Sequence, residues 1–242
     1  MSTKVFAGKT DIGLRRQNNE DAFFISPELE FCLAADGMGG VAAGEIASQI
    51  FVETAREIFS DHGNRSEKDT LYRVQKAYCT ANEKILEHVR VHPDHRGMGC
   101  TAELLAFFEN GFILGHVGDS RTYRLRNGLL EKLTQDHTIV QQQFQEGLIS
   151  ENRIKDHPMR HLIWRAVGIK DELTIDLLTG KTCAADLFLL CSDGLTDMIE
   201  DDLIQDILCG GANISRKAEA LIESAKAAGG LDNITVVLVA VP

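Results

Sequence analysis

The sequence predicts an α+β sandwich, and three features carry that expectation. Apolar runs of strand length recur along the chain, two long amphipathic helical segments follow the first of them together, and strands then come several in a row. Such an order departs from the strict βαβα alternation of a doubly wound sheet. The runs are Ala22 to Ser26, Phe31 to Ala35, Ala102 to Phe108, Phe112 to Val117, Thr122 to Leu125, Leu187 to Cys191 and Ile234 to Val241. Ala42 to Phe59 places Ile46, Ile50, Phe51, Ala55, Ile58 and Phe59 at helical spacing. Leu71 to Val91 does the same with Leu71, Val74, Ala77, Tyr78, Ala81, Ile85, Leu86 and Val89. Tyr123 to Leu133 reads as a hairpin, 138–165 as a polar, helix-prone insert, Gly194 to Leu208 as an acidic helical stretch, and Ile214 to Ala228 as a late helix. No internal repeat, linker or low-complexity tract interrupts the chain.

With 242 residues, 44% of them hydrophobic, the chain has enough apolar surface for its own core. No run approaches the ~18 to 20 apolar residues that cross a bilayer, and Met1 to Thr10 lacks the apolar centre of a signal peptide, so a cytoplasmic protein is expected. The six cysteines lie far apart without a Cys-x-x-Cys pair, which argues against disulfides and a zinc site. Twenty-five basic against 36 acidic side chains, a formal charge of -11, argue against nucleic-acid and anionic-membrane partners. Phosphate stays compatible with such a chain provided metal ions reverse the local sign.

Four aspartates stand at the edges of apolar runs, each beside a glycine or asparagine: Asp36 in LAADG, Asp119 in HVGDS, Asp193 in LLCSDG and Asp232 in GGLDNITVV. Turn chemistry is the plain alternative, because Asp-Gly between two runs is a hairpin signal. That alternative is weaker at Asp36, which a glycine-rich loop and a long helix follow, and at Asp193, where a helical stretch follows. Clustered carboxylates repel and desolvate one another, so a cation at their centre is what keeps them ionised. Oxygen donors without a His/Cys cluster favour magnesium or manganese. In TDIGLRRQNNEDAF, Glu20 and Asp21 could be merely solvated; yet Arg16, four positions before Glu20, offers a guanidinium fork for phosphate close to a carboxylate for metal.

Several motifs fail on inspection. Gly37 to Ala42 satisfies G-x-G-x-x-G/A in form, but Asp36 would sit beside the pyrophosphate and Arg56 to Asp61 reads as a helix end rather than a ribose-binding strand. Gly8-Lys9-Thr10 and Gly180-Lys181-Thr182 lack the glycine five positions earlier that a P-loop needs. No cysteine heads an anion-binding loop ending in arginine, and the sequons at Asn64, Asn213 and Asn233 carry little weight in a cytoplasmic chain.

The blocks GLRRQNNEDAF, LAADGMGGVAAGEIAS, GMGCTA, HVGDSRTYRL, LTQDHT, HPMRHLIWRAVG, LLCSDGLTDM and GGLDNITVVLV, in this order, make the chain resemble the metal-dependent protein phosphatase family, also called protein phosphatase 2C, in its short bacterial form. The resemblance runs nearly end to end. It implies a single domain over 1–242 with a four-layer αββα sandwich of two antiparallel sheets, a flap at about 138–165, and hydrolysis of phosphoserine and phosphothreonine by a metal-activated water. By matching positions it implies that Asp36 bridges two Mn2+ or Mg2+ ions, with Glu20 and the Gly37 carbonyl on one, and Asp193 and Asp232 on the other. It further implies Arg16 on phosphate, Asp119 on a third, weaker metal, and Asp21 orienting water at the metals. Where many eukaryotic members have histidine directly after Asp-Gly this chain has Met38, whose thioether cannot donate a proton, so no residue is assigned to the leaving group. Cys100 replaces a threonine common in GMGTTA, a change expected to be mild.

The expected partners are phosphorylated proteins made by an opposing serine/threonine kinase, with the chain acting as a monomer. A noncatalytic phosphoprotein-binding relative is the first rival, disfavoured because a pure binder has no use for Arg16, Glu20, Asp36, Gly37, Asp193 and Asp232 together. A phosphatase dedicated to one anti-sigma antagonist or secretion regulator shares the same chemistry.

Overall fold

The computed structural model describes residues 3–39, 43–60, 65–154 and 157–242. β1 (Val5–Asp11), β2 (Asp21–Ser26) and β3 (Phe31–Met38) precede α1 (Ala43–Phe59) and α2 (Glu67–Val91). β4 (Gly99–Cys100), β5 (Ala102–Phe108), β6 (Gly111–Val117), β7 (Arg121–Arg126) and β8 (Leu129–Lys132) follow. The chain ends with α3 (Ile139–Gln145), β9 (Asp176–Lys181), β10 (Leu187–Cys191), α4 (Asp193–Thr196), α5 (Asp201–Cys209), α6 (Ile214–Ala227) and β11 (Ile234–Ala240). One antiparallel sheet runs β1-β11-β10-β7-β8; the other runs β2-β3-β5-β6-β9, with β4 on the end of β3.

Period-two alternation of β3 shows how the layers stack. Phe31 and Leu33 join Leu104 and Ile113 against Phe51, Ala55, Val74, Tyr78 and Ile85 of α1 and α2. Cys32 and Ala34 point the other way and, with Leu105, Phe112 and Leu114, meet Phe188, Leu190, Val237 and Val239 of the facing sheet. On the outer face of that sheet, Leu189, Val236 and Leu238 pack on Leu195, Ile204, Leu221 and Ile222 of the later helices. The order is helices, sheet, sheet, helices. Strands buried on both faces are apolar at most positions, which is why their runs read as nearly continuous. Phe188 anchors the inter-sheet layer edge-on to Phe112 and Phe107, with centroids 5.0 and 5.8 Å away.

Two edge strands were absent from the expectation, as was the two-residue β4. Both β1 and β9 are sheet edges, and of their thirteen positions Ala7 alone is buried, so neither carries an apolar run. Gly8-Lys9-Thr10 lies within β1 and Gly180-Lys181 ends β9, so these tripeptides are extended edge backbone. The stretch Gly194 to Leu208 divides into α4 and α5 instead of one helix. α2 begins at Glu67, earlier than the apolar spacing shows, because Ser66 caps it by accepting the Asp69 N–H at 3.2 Å. Of the helix-prone insert, α3 alone forms α-helix among the described residues. The insert closes at its base through a Thr138–Ile163 bridge and the Ile139 N–H to Leu162 carbonyl bond of 2.9 Å. Gly40 to Ala42 of the dinucleotide-like motif, and Asn64, lie outside the described residues.

Candidate metal centre

Three cross-sheet connections frame one end of the sandwich. Ser192, just after β10, donates its hydroxyl to Asp21 Oδ2 at 2.7 Å and accepts the Thr235 N–H of β11 at 3.0 Å. Thr101 Oγ1 accepts the Asp36 N–H at 3.1 Å and pairs with Ser120 Oγ at 2.7 Å. Asn233 Oδ1 accepts the Glu20 N–H at 2.8 Å. These bonds hold the end of β2 and β3 against the chain entering β7, α4 and β11.

The predicted acidic residues fall within this frame. Asp21 and Asp36 are direct register partners across β2 and β3. Asp36 and Gly37 lie inside β3 rather than after it, since the strand continues to pair Gly37 with Cys100 and Met38 with Gly99 of β4. Gly37 must be glycine. A Cβ there would sit 2.1 Å from the Gly44 carbonyl oxygen and 2.6 Å from that of Glu20, and the close approach sets Glu20 beside the Asp36-Gly37 backbone. Asp193 opens α4 and Asp232 lies just before β11. Asp119 sits where the chain leaves β6 in one sheet for β7 in the other, so it belongs to a sheet-to-sheet crossing and not to a hairpin.

Electrostatics show how closely these groups gather. Burial raises the Asp36 carboxyl well above its ordinary value, and the charges of Asp21, Asp193, Asp119 and Asp232 raise it further. Burial, then Asp193 and Asp136, do the same to Asp119. Asp21 is pushed up to about 7 by burial against the opposing Thr235 and Ser192 hydrogen bonds, and Asp193 to about 6 by burial, Asp197 and Asp232. Glu20 is raised by burial, which Arg16 partly offsets. Arg16 lies with its guanidinium on Asp232, 2.5 Å from Oδ2, and 51% of its side chain stays exposed. Oδ1 of Asp21 and Oδ1 of Asp193 are buried without a hydrogen-bond partner. Orphaned carboxylate oxygens amid repelling carboxylates are the electrostatic signature of a cation site.

Sequence reasoning passed over several supports. Asn233 also donates to the Ile12 and Asn18 carbonyls at 3.1 and 2.9 Å, clamping both ends of the Arg16 loop. His137 ties the Asp119 crossing to the insert: its Nδ1 accepts the Gly118 N–H at 3.0 Å, its own N–H reaches the Gly118 carbonyl at 2.7 Å, and its carbonyl accepts the Trp164 N–H at 2.9 Å. Burial, then His116 and Arg165, lower the His137 pKa to about 4, which keeps the ring neutral. His161 of the insert reaches Asp197 at 3.2 Å, and their ligand atoms lie within 4.8 Å of Asp193. The only advance signals were position within LTQDHT, HPMRHLIWRAVG and GGLDNITVVLV, which name no partner.

Comparison with known proteins agrees with the fold. The family model described as protein phosphatase 2C matches residues 14–226, and the chain belongs to that family. It is 39% identical over 234 residues to the serine/threonine protein phosphatase PstP of Mycobacterium tuberculosis, covering 96% of this chain and 44% of the relative. The chain thus spans less than half the length of its first curated relatives. It is 36% identical to protein phosphatase PhpP of Streptococcus pneumoniae, over 95% of this chain and 94% of that protein. The crystal structure of the PstP catalytic domain in complex with two manganese ions superposes with a TM-score of 0.90 at 36% identity, covering 99% of each chain. The expected αββα sandwich and family are therefore borne out.

Proposed function

We propose that the chain is a metal-dependent protein serine/threonine phosphatase, one domain over 1–242 with a flap at about 138–165, hydrolysing phosphoserine and phosphothreonine esters. The observation that carries this reading is the gathering of Glu20, Asp21, Asp36, Asp119, Asp193 and Asp232 around buried oxygens that no protein group satisfies. Glu20, Asp36, the Gly37 carbonyl, Asp193 and Asp232 would hold two ions, and Asp119 a third. An all-oxygen donor set fits Mn2+ or Mg2+. When bound, such ions ease the deprotonation of water and offset negative charge on a phosphoryl group.

The chain's own residues supply the rest. Arg16, half exposed at the cluster's rim, presents its fork to the phosphoryl oxygens. Asp21, fixed through Oδ2 by Ser192, keeps Oδ1 to orient water. Met38 has no proton to give, so leaving-group protonation stays with no side chain. We read the substrates as phosphoproteins made by an opposing kinase in the cytoplasm, and the working unit as a monomer. Family membership and the acidic net charge support that reading, and no helix among the described residues is long and apolar enough to cross a membrane.

Phosphate release from phosphoserine, phosphothreonine and phosphotyrosine peptides, first in EDTA and then with Mn2+ or Mg2+, tests the proposal. Release from the first two that requires metal is expected. Full activity in EDTA would remove the metal centre from catalysis, and no release under any condition would leave a binding relative.

A further inference from the structure

Away from the carboxylates, the chain gathers three of its eight histidines at one place. His88, His92 and His95 follow at i, i+4 and i+7 over the C-terminal end of α2, where the short turn Pro93–His95 folds back on the helix. Their ring centroids lie 4.5 Å (His88–His92), 5.2 Å (His88–His95) and 5.7 Å (His92–His95) apart. His88 Nε2 faces His95 Nδ1 at 2.9 Å, and the other His95 nitrogen, Nε2, stands 3.6 Å from Asp94 Oδ2. A hydrogen bond accounts for the His88–His95 pair alone. It leaves unexplained the third ring and the carboxylate behind His95.

We propose that His88, His92 and His95 form a surface site for a borderline transition-metal ion such as Zn2+ or Ni2+, separate from the carboxylate centre, with Asp94 orienting His95. Two imidazole nitrogens each ~2.0–2.1 Å from a tetrahedral ion stand about 3.3 Å apart, so the facing nitrogens need open only slightly. A carboxylate on the far nitrogen of a ligating imidazole fixes its tautomer and raises its basicity. The nitrogens of His92 lie outside ligating reach of the facing His88–His95 pair, so His92, exposed at the helix end, would complete the set only after its side chain rotates. Hard Mg2+ has little preference for imidazole and does not compete here. The site adjoins the catalytic end by the chain itself: Met98 N–H bonds the His95 carbonyl at 3.1 Å, and Gly99 and Cys100 then pair with Met38 and Gly37.

The test titrates the full chain, held in saturating Mg2+, with Zn2+ or Ni2+ by calorimetry. One tight equivalent is expected. Replacing a ligand should cost more than the roughly 10–100-fold typical of an outer partner, so His88→Gln, His92→Gln and His95→Gln should each exceed that loss and Asp94→Asn should fall within it. His92→Gln is decisive, because that ring stacks on its neighbours at the exposed helix end and its replacement spares the His88–His95 bond. His161→Ala, beside Asp193 and Asp197, should leave the equivalent intact. Unchanged binding in His92→Gln, or loss of the equivalent in His161→Ala instead, overturns the proposal. Because the readout is binding, the result stands apart from whether the chain is a phosphatase.

Discussion

Nη2 of Arg16 donates to Oδ2 of Asp232, while Oδ1 of the same carboxylate accepts the N–H of Asn233 at 2.8 Å. Both oxygens of Asp232 thus have protein partners, and the positive charge of Arg16 stands where a cation would bind. A metal on Asp232 and a phosphate on Arg16, as proposed, would each weaken this ion pair, so the two ligands would favour one another.

Arg16→Ala should raise KM for phosphopeptides and relieve inhibition by free phosphate by roughly tenfold or more, the value of a charge-assisted hydrogen bond of ~1.5–3 kcal/mol. Manganese affinity should hold or improve, since the competing cation on Asp232 is gone. Stability should change by less than ~1 kcal/mol, as for an exposed ion pair. Arg15→Ala is the control and should behave as wild type. A lower melting temperature with unchanged kinetics would make Arg16 structural.

Proton linkage gives the second prediction. Without metal, burial and the neighbouring carboxylates push Asp21 up to about 7 and Asp193 up to about 6, from the ordinary aspartate value of 3.8. From about pH 4 upward the unfolded chain releases protons that the folded carboxyls retain, so the contribution of both groups to stability falls as pH rises and is fully lost above about pH 7. In EDTA, the melting-temperature advantage of Asp21→Asn over wild type should therefore widen from about pH 4 to about pH 7.5. Because metal displaces these protons, Mn2+ should raise the wild-type melting temperature more at about pH 7.5 than at about pH 5. An Mn2+ effect independent of pH would show that the raised carboxyls take no part in binding.

Asn233 carries the third. Its amide reaches Glu20, Ile12 and Asn18, so Asn233→Ala strands a buried N–H and two carbonyls and should cost ~1–3 kcal/mol for the first unsatisfied group alone. Turnover should fall as well, because the Arg16 loop and Glu20 lose their common anchor. Denaturant melts and kinetics on the one variant separate the two effects. Wild-type stability would mean that the loop is held elsewhere.

Legibility from sequence followed the physics of burial. β3, β5, β10 and β11 are covered on both faces and are apolar at most positions, with the buried Glu103 of β5 held by His116 and Thr122, so each showed as a run. β1 and β9, exposed along one edge, had no such obligation. The carboxylates stood out because each ends or interrupts a buried strand where a charge needs a reason. Ser192, Thr101, Ser120 and Asn233 did not, because a hydroxyl or amide is unremarkable until its partner arrives from far along the chain, 171 residues away for Ser192 and Asp21. The turn reading of Asp119 failed for a topological reason that local sequence does not carry: β6 and β7 belong to different sheets.

That crossing supplies the last prediction. Asp119 is pushed up by burial and by Asp193, so it faces the same cluster, while in the proposed centre Glu20, Asp36, Gly37, Asp193 and Asp232 would suffice for two ions. Asp119→Ala should keep two metals by calorimetry and a wild-type melting profile, since Gly118 remains fixed to His137 from both sides. Activity should fall much further on phosphopeptides, whose alkoxide leaving group needs a proton, than on an activated aryl phosphate, which needs little help. Met38 beside the cluster cannot supply that proton, which makes the difference between the two substrates the informative quantity. Wild-type turnover of phosphopeptides would remove Asp119 from catalysis, and loss of all metal binding would make it a ligand of the main pair.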